Sequence, residues 1–257
     1  VASTTKAGTM TAAIFKKSSP EPARLFYKTD IHCHLVPGID DGAVTQEEGA
    51  ALVERERQWG IEHIICTPHI TEDTFENTPD IISSAFSILK AAVEAQGTDI
   101  SLDYSAEHRL SPFFFSELEK GHIKPFPNNY LLVENSFLQE TWNMDQVIYD
   151  LAIKGYKPVL AHPERYQYYI SNRDRYMQLH RSGLLFQINL LSLAGYYGKT
   201  QKQTAEWLIE KEMVDFLGSD MHNERHAEAI ESYLRSKDYR KHAAALEGRI
   251  MNDKAFV

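Results

Sequence analysis

The sequence predicts an α/β fold, a distorted seven-stranded (β/α)7 TIM-like barrel. Short apolar segments alternate with segments of helical periodicity, which is typical of parallel α/β architecture. Seven such units occur in 257 residues, and a single barrel often has this length. No internal repeat and no linker rich in Pro, Gly or Ser divides them. An open, doubly wound sheet is the alternative architecture.

Seven segments are predicted to be strands because each is a short apolar run bounded by turn residues. They are Tyr27–His34, Ile61–His69, Ile100–Glu107, Tyr130–Asn135, Pro158–His162, Leu184–Asn189 and Val214–Asp220. In a barrel of this kind the active site forms at the carboxyl ends of the strands. The last residues of each strand are therefore candidates for catalytic or metal-binding residues.

Helices are predicted between the strands from capping residues and apolar spacing. Thr45 and Glu48 form a capping box at the first helix start, and Thr78 caps the second, which a proline opens. A third helix begins near Met144 and stops at Gly155. Later helices are predicted over Arg173–Arg181, Gln203–Glu212, Ala227–Leu234 and Tyr239–Glu247.

The charge balance of the chain is acidic. Lys and Arg total 27 and Asp and Glu total 36, which gives a formal net charge of −9 at pH 7. This argues against a sequence-independent nucleic-acid binder, which needs a basic face, so we expect no nucleic-acid partner. Phosphate chemistry stays compatible with an acidic chain when metal ions supply positive charge. No stretch approaches the ~18 consecutive apolar residues that span a membrane, so membrane insertion is not expected.

Residues 1–26 are predicted to form a flexible N-terminal extension, and residues 27–257 a single barrel domain. The extension contains lysines but no continuous apolar run, so it is a poor secretory signal. Cys33 and Cys66 lie in apolar segments and form no C-x-x-C pair. Buried free thiols are typical of a reducing compartment, which predicts a cytoplasmic location.

Six of the seven predicted strands end in His, Asp or Glu. The first carries His32 and His34, whose i, i+2 spacing places both side chains on one side of the strand. The other strand ends, and the turn after the first strand, supply Asp40, Asp41, His69, Glu107, Glu134, His162, Asp220 and His222. One such residue alone is usually just a polar group facing solvent, but six coincident strand ends indicate a site. Imidazoles and carboxylates together suit Zn²⁺, Mn²⁺ or Fe, and the set is large enough for more than one ion.

The motifs at these strand ends occur in a characteristic order. They read D-I-H-x-H, D-D-G, T-P-H, A-H-P-E-R-Y and S-D-M-H-N. The ordered set resembles the polymerase-and-histidinol-phosphatase (PHP) superfamily, whose members are distorted seven-stranded barrels with a trinuclear metal centre. Within that superfamily it is similar to the manganese-dependent tyrosine phosphatases of bacterial capsule and exopolysaccharide loci. The resemblance extends from Lys28 to the C-terminus.

The resemblance implies ligands for three ions, with Mn²⁺, Fe or Zn²⁺ as the metal. The ligands implied for the first, second and third ion are, in that order, His32, His34, Glu107 and Asp220; Glu107, His162 and Glu134; and Asp41, His69 and His222. Glu107 would bridge the first two ions. The resemblance thus turns the strand-end pattern into a specific set of side chains that should meet in one pocket.

Two further residues are implied to serve the reaction. Arg165 matches the family's phosphate-binding arginine, and its planar fork suits a phosphoryl group. The alternative for Arg165 is a surface ion pair with Glu164. Asp40 would be an outer-shell partner of the metal centre or a proton donor. Whether Asp40 or Asp41 is the ligand stays open.

The resemblance implies a metal-dependent phosphatase that hydrolyses phosphotyrosine on a protein through attack of a metal-bound hydroxide. The expected partner is a bacterial tyrosine autokinase of capsule or exopolysaccharide synthesis. A cysteine-nucleophile mechanism is excluded, because Ile39 and Glu72, not arginines, stand six residues after the two cysteines. One alternative is a PHP-type phosphoesterase acting on a small phosphomonoester such as histidinol phosphate, or on nucleic acid. Another is a non-catalytic, metal-stabilised binding module.

Several features stay open at this stage. The tyrosines of the fifth and sixth loops could stack on a tyrosyl ring or pack in the interior; they are Tyr166, Tyr168, Tyr169, Tyr196 and Tyr197. Strand alternation should turn His108 away from the side that Glu107 faces. His226 follows His222 by four residues and could join the ligands. An oligomer is left open as well.

Overall fold

A computed structural model describes residues 24–256, and these residues form nine strands and ten helices. The strands are β1 (Thr29–Asp30), β2 (His63–Cys66), β3 (His69–Ile70), β4 (Ser101–Tyr104), β5 (Glu107–Arg109), β6 (Tyr130–Glu134), β7 (Lys157–Ala161), β8 (Leu185–Asn189) and β9 (Phe216–Gly218). The helices are α1 (Gln46–Gln58), α2 (Pro79–Ala95), α3 (Pro112–Lys120), α4 (Met144–Ile153), α5 (Gln167–Ile170), α6 (Arg173–Arg181), α7 (Leu190–Ala194), α8 (Lys199–Glu210), α9 (Glu224–Leu234) and α10 (Lys237–Leu246). The fold is therefore a mixed α/β fold, as predicted.

All strand pairs are parallel, and they form two sheets. One sheet has the order β1-β2-β4, and the other has the order β3-β5-β6-β7-β8-β9. Each predicted strand segment overlaps an observed strand, but two of the seven predicted strands are divided. The segment 61–69 becomes β2 and the start of β3, and the segment 100–107 becomes β4 and the start of β5. Pro68 explains the first break, because proline has no N–H to donate to a ladder.

Hydrogen bonds continue across both breaks and connect the two sheets. Ser105 N donates to Cys66 O (2.8 Å), and Glu107 N donates to Pro68 O (3.1 Å). β3 and β5 are therefore paired with each other in the same way as β2 and β4, which precede them in the chain. The carboxyl ends of all these strands consequently lie at one end of the molecule.

The residues after β1 lie beside the residues after β9, and we call this contact the seam. Asp220 N donates to His32 O (2.7 Å) and His34 N donates to Met221 O (2.9 Å), with a parallel bridge between Cys33 and Met221. Asn252 holds the two sides of the seam together through hydrogen bonds to Thr29 and Leu217. Its amide donates to the carbonyls of Thr29 and Leu217, and its Oδ1 accepts from Leu217 N. The first and last strand segments of the described chain are thereby joined.

Two buried clusters divide the apolar side chains of the strands. In β6 and β7, Leu132 and Val159 belong to the smaller cluster, whereas their neighbours Val133 and Leu160 belong to the larger one that packs under the helices. This alternation follows from the two-residue period of a strand. Glu134 lies two residues after Leu132 and so extends the face of the smaller cluster towards the carboxyl end of the sheet.

Local signals account for most helix boundaries. Thr45 and Thr78 cap α1 and α2 as predicted, by accepting backbone N–H groups of the first turn. Helix α6 has the predicted bounds, and α8, α9 and α10 begin a few residues earlier than predicted. Helix α3 was not predicted, although Ser111 and the proline after it repeat the cap-and-proline signal that identified α2. None of the described helices is long and apolar enough to cross a membrane.

The start of the described chain lies against the helices. Leu25 N donates to Trp59 O (2.8 Å), and the hydroxyl of Tyr239 donates to Arg24 O (2.7 Å). Residues 24–26, which were predicted to belong to the flexible extension, thus contact the rest of the fold. The remainder of that predicted extension, residues 1–23, lies outside the described residues.

We predict that Asn252→Ala weakens the seam. The substitution removes three buried hydrogen bonds and leaves their backbone partners unpaired, so the free energy of unfolding should fall by about 2–4 kcal/mol. Urea denaturation measures this difference. Asn128→Ala is the matched control, because Asn128 makes a single amide bond, to Ala255 O. Equal losses for the two variants would contradict a special role of Asn252.

Candidate metal centre

The side chains of His32 and His34 meet at the carboxyl end of β1. Both are fully buried, and their Nε2 atoms lie 3.3 Å apart. Nδ1 of His32 faces Gln187 Oε1 (2.6 Å), and Nδ1 of His34 faces Asp40 Oδ2 (2.8 Å). Both of these partners are hydrogen-bond acceptors, so each Nδ1 must carry the proton. In the neutral imidazoles, the two Nε2 lone pairs are then directed into the pocket.

Two carboxylates approach the same pair of nitrogens. Glu107 Oε2 lies 3.3 Å from His32 Nε2 and 3.4 Å from His34 Nε2, and Asp220 Oδ1 lies 3.4 and 3.5 Å from them. Glu107 Oε2 is buried and has no hydrogen-bond partner among the described residues. These converging groups require a cation between them, either a proton on the imidazoles or a metal ion; burial lowers the pKa of His32, but Glu107 and Asp220 raise it to about 9. The donor set therefore fits a divalent metal such as Zn²⁺ or Mn²⁺.

A second group of donors surrounds the other oxygen of Glu107. His162 Nε2 lies 2.9 Å from Glu107 Oε1 and 4.0 Å from Glu134 Oε2. Burial, and the nearby charge of Glu107, raise the pKa of Glu134 to about 7. Its Oε2 has no hydrogen-bond partner in the described part of the chain, while its Oε1 accepts from Arg109. These donors also have the chemistry of a cation site.

A third group lies closer to solvent. Asp41 Oδ1 is 3.5 Å from His69 Nε2 and 3.4 Å from His222 Nε2. Nδ1 of His222 donates to the carbonyl of Asp220 (2.9 Å), so Nε2 of His222 again carries the lone pair. His34 lies within the same group of potential ligands. His69 Nδ1 also approaches Glu107 Oε2 (3.0 Å), so the three groups adjoin.

The structure distinguishes the two aspartates of the first turn. Asp41 faces the third group, whereas Asp40 is buried behind His34. Both oxygens of Asp40 are occupied, since they accept from His34 Nδ1 and from the backbone N–H groups of Gly42 and His69. Burial alone would raise the pKa of Asp40, but His34 and these N–H groups lower it to about 2. The geometry favours Asp41 as the ligand.

Unusual backbone positions direct some of these side chains. His162 (φ 37°) and Asp220 (φ 50°) have left-handed conformations, which non-glycine residues rarely adopt. Close packing also requires glycine at two positions. A Cβ at Gly218 would lie 2.6 Å from His32 Cβ, and one at Gly42 would lie 2.0 Å from His34 O. The backbone is thus shaped around His32 and His34, which follow β1.

Above the donors is a cavity of about 520 Å³. Its walls include Arg165, Phe137 and Tyr197. Nη1 of Arg165 donates to Asp220 Oδ2 (3.0 Å), and its guanidinium lies 4.2 Å from the ring centroid of Tyr197 and 4.9 Å from that of Phe137. The predicted alternative, an ion pair with Glu164, is not formed, because Glu164 is buried and accepts from Asn189 N.

The two histidines left open by the sequence lie in different places. His108 packs against Phe114, on the opposite face of β5 from Glu107, and burial lowers its pKa to about 4. His226 lines the cavity, where its Nδ1 accepts from His222 N (3.3 Å). His108 therefore lies outside the donor groups, and His226 lies at their rim.

Most of the tyrosines considered for ring stacking are not available for it. Tyr166 and Tyr169 are buried, and the hydroxyl of Tyr168 donates to Ser136 O. Tyr197 lines the cavity, and Tyr196 lies edge-on to His226 outside it. Phe137 was not predicted from the sequence, because it has no spacing relation to the ligand motifs.

Three polar residues around the donors were also missed. Gln187 orients His32, and the amide of Asn189 donates to Asp220 Oδ2. Both stand at the end of β8, the one predicted strand that lacks a His, Asp or Glu there. Arg109 was detectable too, because it lies two residues after Glu107 on the same face of the strand. Two side-chain amides and one arginine therefore hold the donors in position.

This chain is similar in sequence to proteins of known family. A family profile described as "Capsular polysaccharide synthesis, CpsB/CapC" matches residues 28–246. This chain belongs to the CpsB/CapC family. Among its relatives, tyrosine-protein phosphatase YwqE of Bacillus subtilis is 32% identical over 195 residues, which cover 76% of this chain and 77% of YwqE. Tyrosine-protein phosphatase CpsB of Streptococcus agalactiae is 33% identical over 201 residues, covering 76% of this chain and 82% of CpsB.

Solved structures extend the comparison to the fold of the CpsB/CapC family. A structure from work on YwqE of Bacillus subtilis and CpsB of Streptococcus pneumoniae, described as unique metal-dependent tyrosine phosphatases, superposes with a TM-score of 0.74. The identity is 28%, over 89% of this chain and 95% of the other. The zinc-bound histidinol phosphate phosphatase of Lactococcus lactis has a TM-score of 0.51 at 14% identity, over 81% of this chain and 92% of the other, and shares the fold alone.

We predict that the substitution Glu134→Gln stabilises the metal-free protein relative to wild type and destabilises the protein that has bound metal. Glu134 has a pKa of about 7 in the fold against 4.5 as its ordinary value, so its neutral form stabilises the metal-free protein below pH 4.5. That stability is lost as the pH rises through about 7. Above this pH, metal-free Glu134→Gln should exceed wild type in the free energy of unfolding by on the order of 2 kcal/mol. With saturating Mn²⁺, wild type should be the more stable of the two.

Urea denaturation at several pH values, with chelator or with Mn²⁺, measures both effects. Glu119→Gln is the control, since Glu119 is exposed and pairs with Lys154 at the surface. An identical response of the two variants to Mn²⁺ would show that Glu134 takes no part in binding the metal.

Proposed function

We propose that this chain is a metal-dependent tyrosine-protein phosphatase that acts in capsular or exopolysaccharide synthesis. The observation that carries the proposal is the meeting of three adjoining donor groups beneath a cavity whose wall carries Arg165. The curated relatives are named as tyrosine-protein phosphatases, and the YwqE and CpsB structures are described as metal-dependent. The site and the relatives support the same chemistry.

The donor groups suggest three ions, with Mn²⁺ as the first choice of metal. We assign the ligands to the first, second and third ion as His32, His34, Glu107 and Asp220; Glu107, His162 and Glu134; and Asp41, His69 and His222. The bound ions would neutralise the phosphoryl charge and activate water for attack at phosphorus. Gln187 and Asp40 fix the tautomers of the first two histidines, which keeps their Nε2 atoms available as ligands.

The cavity walls supply the remaining requirements of the reaction. A phosphotyrosine side chain brings close to two negative charges, which the fork of Arg165 can bind through its nitrogens. Phe137 and Tyr197 offer ring faces beside that guanidinium. Phenolate is a comparatively good leaving group, since tyrosine has a pKa of ~10, so a strong proton donor is not required. Asp40 is then a positioning residue, and proton donation by it would require breaking one of its three hydrogen bonds.

We further propose that the two sheets form one distorted seven-stranded barrel, a single domain of the PHP type that begins at about residue 27. The seam supports this, because it joins the first and last strand segments. We also propose a bacterial tyrosine kinase as the protein substrate and the cytoplasm as the location. The two cysteines are buried as free thiols, as expected of a protein in a reducing compartment.

Release of inorganic phosphate from three substrates tests the proposed function. Wild type and His32→Ala are compared on a phosphotyrosine peptide, histidinol phosphate and a short DNA strand, with and without Mn²⁺. We expect Mn²⁺-dependent release from the peptide, at least tenfold faster than from the others, and none with His32→Ala. Preference for histidinol phosphate or DNA would favour the phosphoesterase alternative. Metal-dependent stability without turnover would favour the binding module.

We predict that Arg165→Lys lowers kcat/KM for a phosphotyrosine peptide by about 100-fold, because lysine keeps the charge but loses the planar fork aimed at the phosphoryl group. Steady-state kinetics measure the loss. Arg240→Lys, at an exposed position of α10, is the control and should leave kcat/KM unchanged. A change of less than twofold in Arg165→Lys would contradict a role of Arg165 in binding the phosphoryl group.

A further inference from the structure

The loop between β6 and α4, residues 136–142, exposes large apolar side chains; we call it the Phe137 loop. Leu138 is 91% exposed and Trp142 is 92% exposed, and Phe137 is 42% exposed. Side chains of this size are normally buried, and clustered exposure is typical of a binding surface. Tryptophan is also among the residues that contribute most to protein recognition.

Both ends of the Phe137 loop are held in place by hydrogen bonds. Asn135, just before the loop, donates to the hydroxyl of Tyr169 and accepts from Thr141. Arg175 of α6 binds both carboxylate oxygens of Glu140, at 2.7 and 2.9 Å. The exposed apolar side chains are therefore presented by an anchored loop.

One end of this apolar surface is a wall of the catalytic cavity. The ring of Phe137 stacks on His162, with centroids 5.7 Å apart and an interplanar angle of 15°. The guanidinium of Arg165 lies 4.9 Å from the centroid of the same ring. The Phe137 loop thus begins beside Arg165, and the exposed side chains of Leu138 and Trp142 belong to the same short loop.

We propose that Phe137, Leu138 and Trp142 form a docking surface for the polypeptide around the phosphotyrosine. Phe137 contacts the phenyl ring, while Leu138 and Trp142 contact an apolar side chain next to it in the substrate sequence. This proposal rests on the proposed function and names the substrate class more closely. We favour the substrate over a second copy of this chain as the occupant, because Phe137 is itself a wall of the cavity that the substrate must enter.

The test compares two substrates of very different size. Phenyl phosphate fills only the cavity, whereas a phosphotyrosine peptide with leucine on both sides also reaches the Phe137 loop. In the double variant Leu138→Ser/Trp142→Ser, we expect KM for the peptide to rise about tenfold with kcat unchanged, since the lost apolar contacts act on binding. Both constants for phenyl phosphate should stay unchanged, which also shows that the variant is folded.

The matched control makes the same kind of change on α4, away from the cavity. Tyr149 and Ile153 are 60% and 67% exposed, and Tyr149→Ser/Ile153→Ser should leave KM for both substrates unchanged. Equal peptide KM for wild type and the Leu138/Trp142 variant would overturn the proposal. So would a change in oligomeric state on analytical ultracentrifugation without a change in peptide KM, which would identify a self-association surface.

Wild type separates failure of this inference from failure of the proposed function. If wild type with Mn²⁺ releases phosphate from neither substrate, the phosphatase proposal fails and the docking surface fails with it. If wild type hydrolyses both substrates and the double variant behaves identically, only the docking surface is wrong. A selective loss on the peptide supports both.

Discussion

The organisation of the molecule depends on lone pairs that converge at one end of its parallel strands. The Nε2 atoms of His32 and His34 lie 3.3 Å apart, and one carboxylate oxygen of Glu107 and one of Asp220 each lie within 3.5 Å of both nitrogens. In a buried environment such an arrangement is unfavourable without a cation, so the surrounding structure has to hold it in place. Gln187, behind His32, is one of the groups that do so.

Two buried acidic residues next to the seam also support these donors. Asp30, on β1, accepts from the backbone N–H groups of His32 and Ser219, and Glu56 of α1 accepts from the Ser219 hydroxyl. Burial raises the pKa of both acids, which lie close enough to share a proton. The seam is therefore fixed by buried polar groups next to the candidate metal centre, while apolar packing supports the strands. Geometry at the site and integrity of the seam depend on the same residues.

Much of this arrangement was predictable from the sequence, and the reasons for the remainder are physical. Strand alternation, and the rule that active sites of such barrels form at the carboxyl ends of the strands, were enough to predict that His32, Glu107 and Asp220 lie close together. The break at Pro68 and the left-handed backbone of His162 depend on tertiary contacts, which have no local pattern. Phe137 is a surface residue of a loop, and only its position in space relates it to the cavity. Residues that touch the donors directly were therefore easier to find than residues that shape access to them.

The seam has a consequence for biosynthesis. Its two halves are encoded near opposite ends of the described chain, and the donors run from His32 to His222. The ribosome synthesises His32 and His34 long before Asp220 and His222, which follow β9. The full set of candidate ligands is thus assembled only after His222 has been synthesised, so a centre that uses all of them would be completed late in the synthesis of residues 24–256.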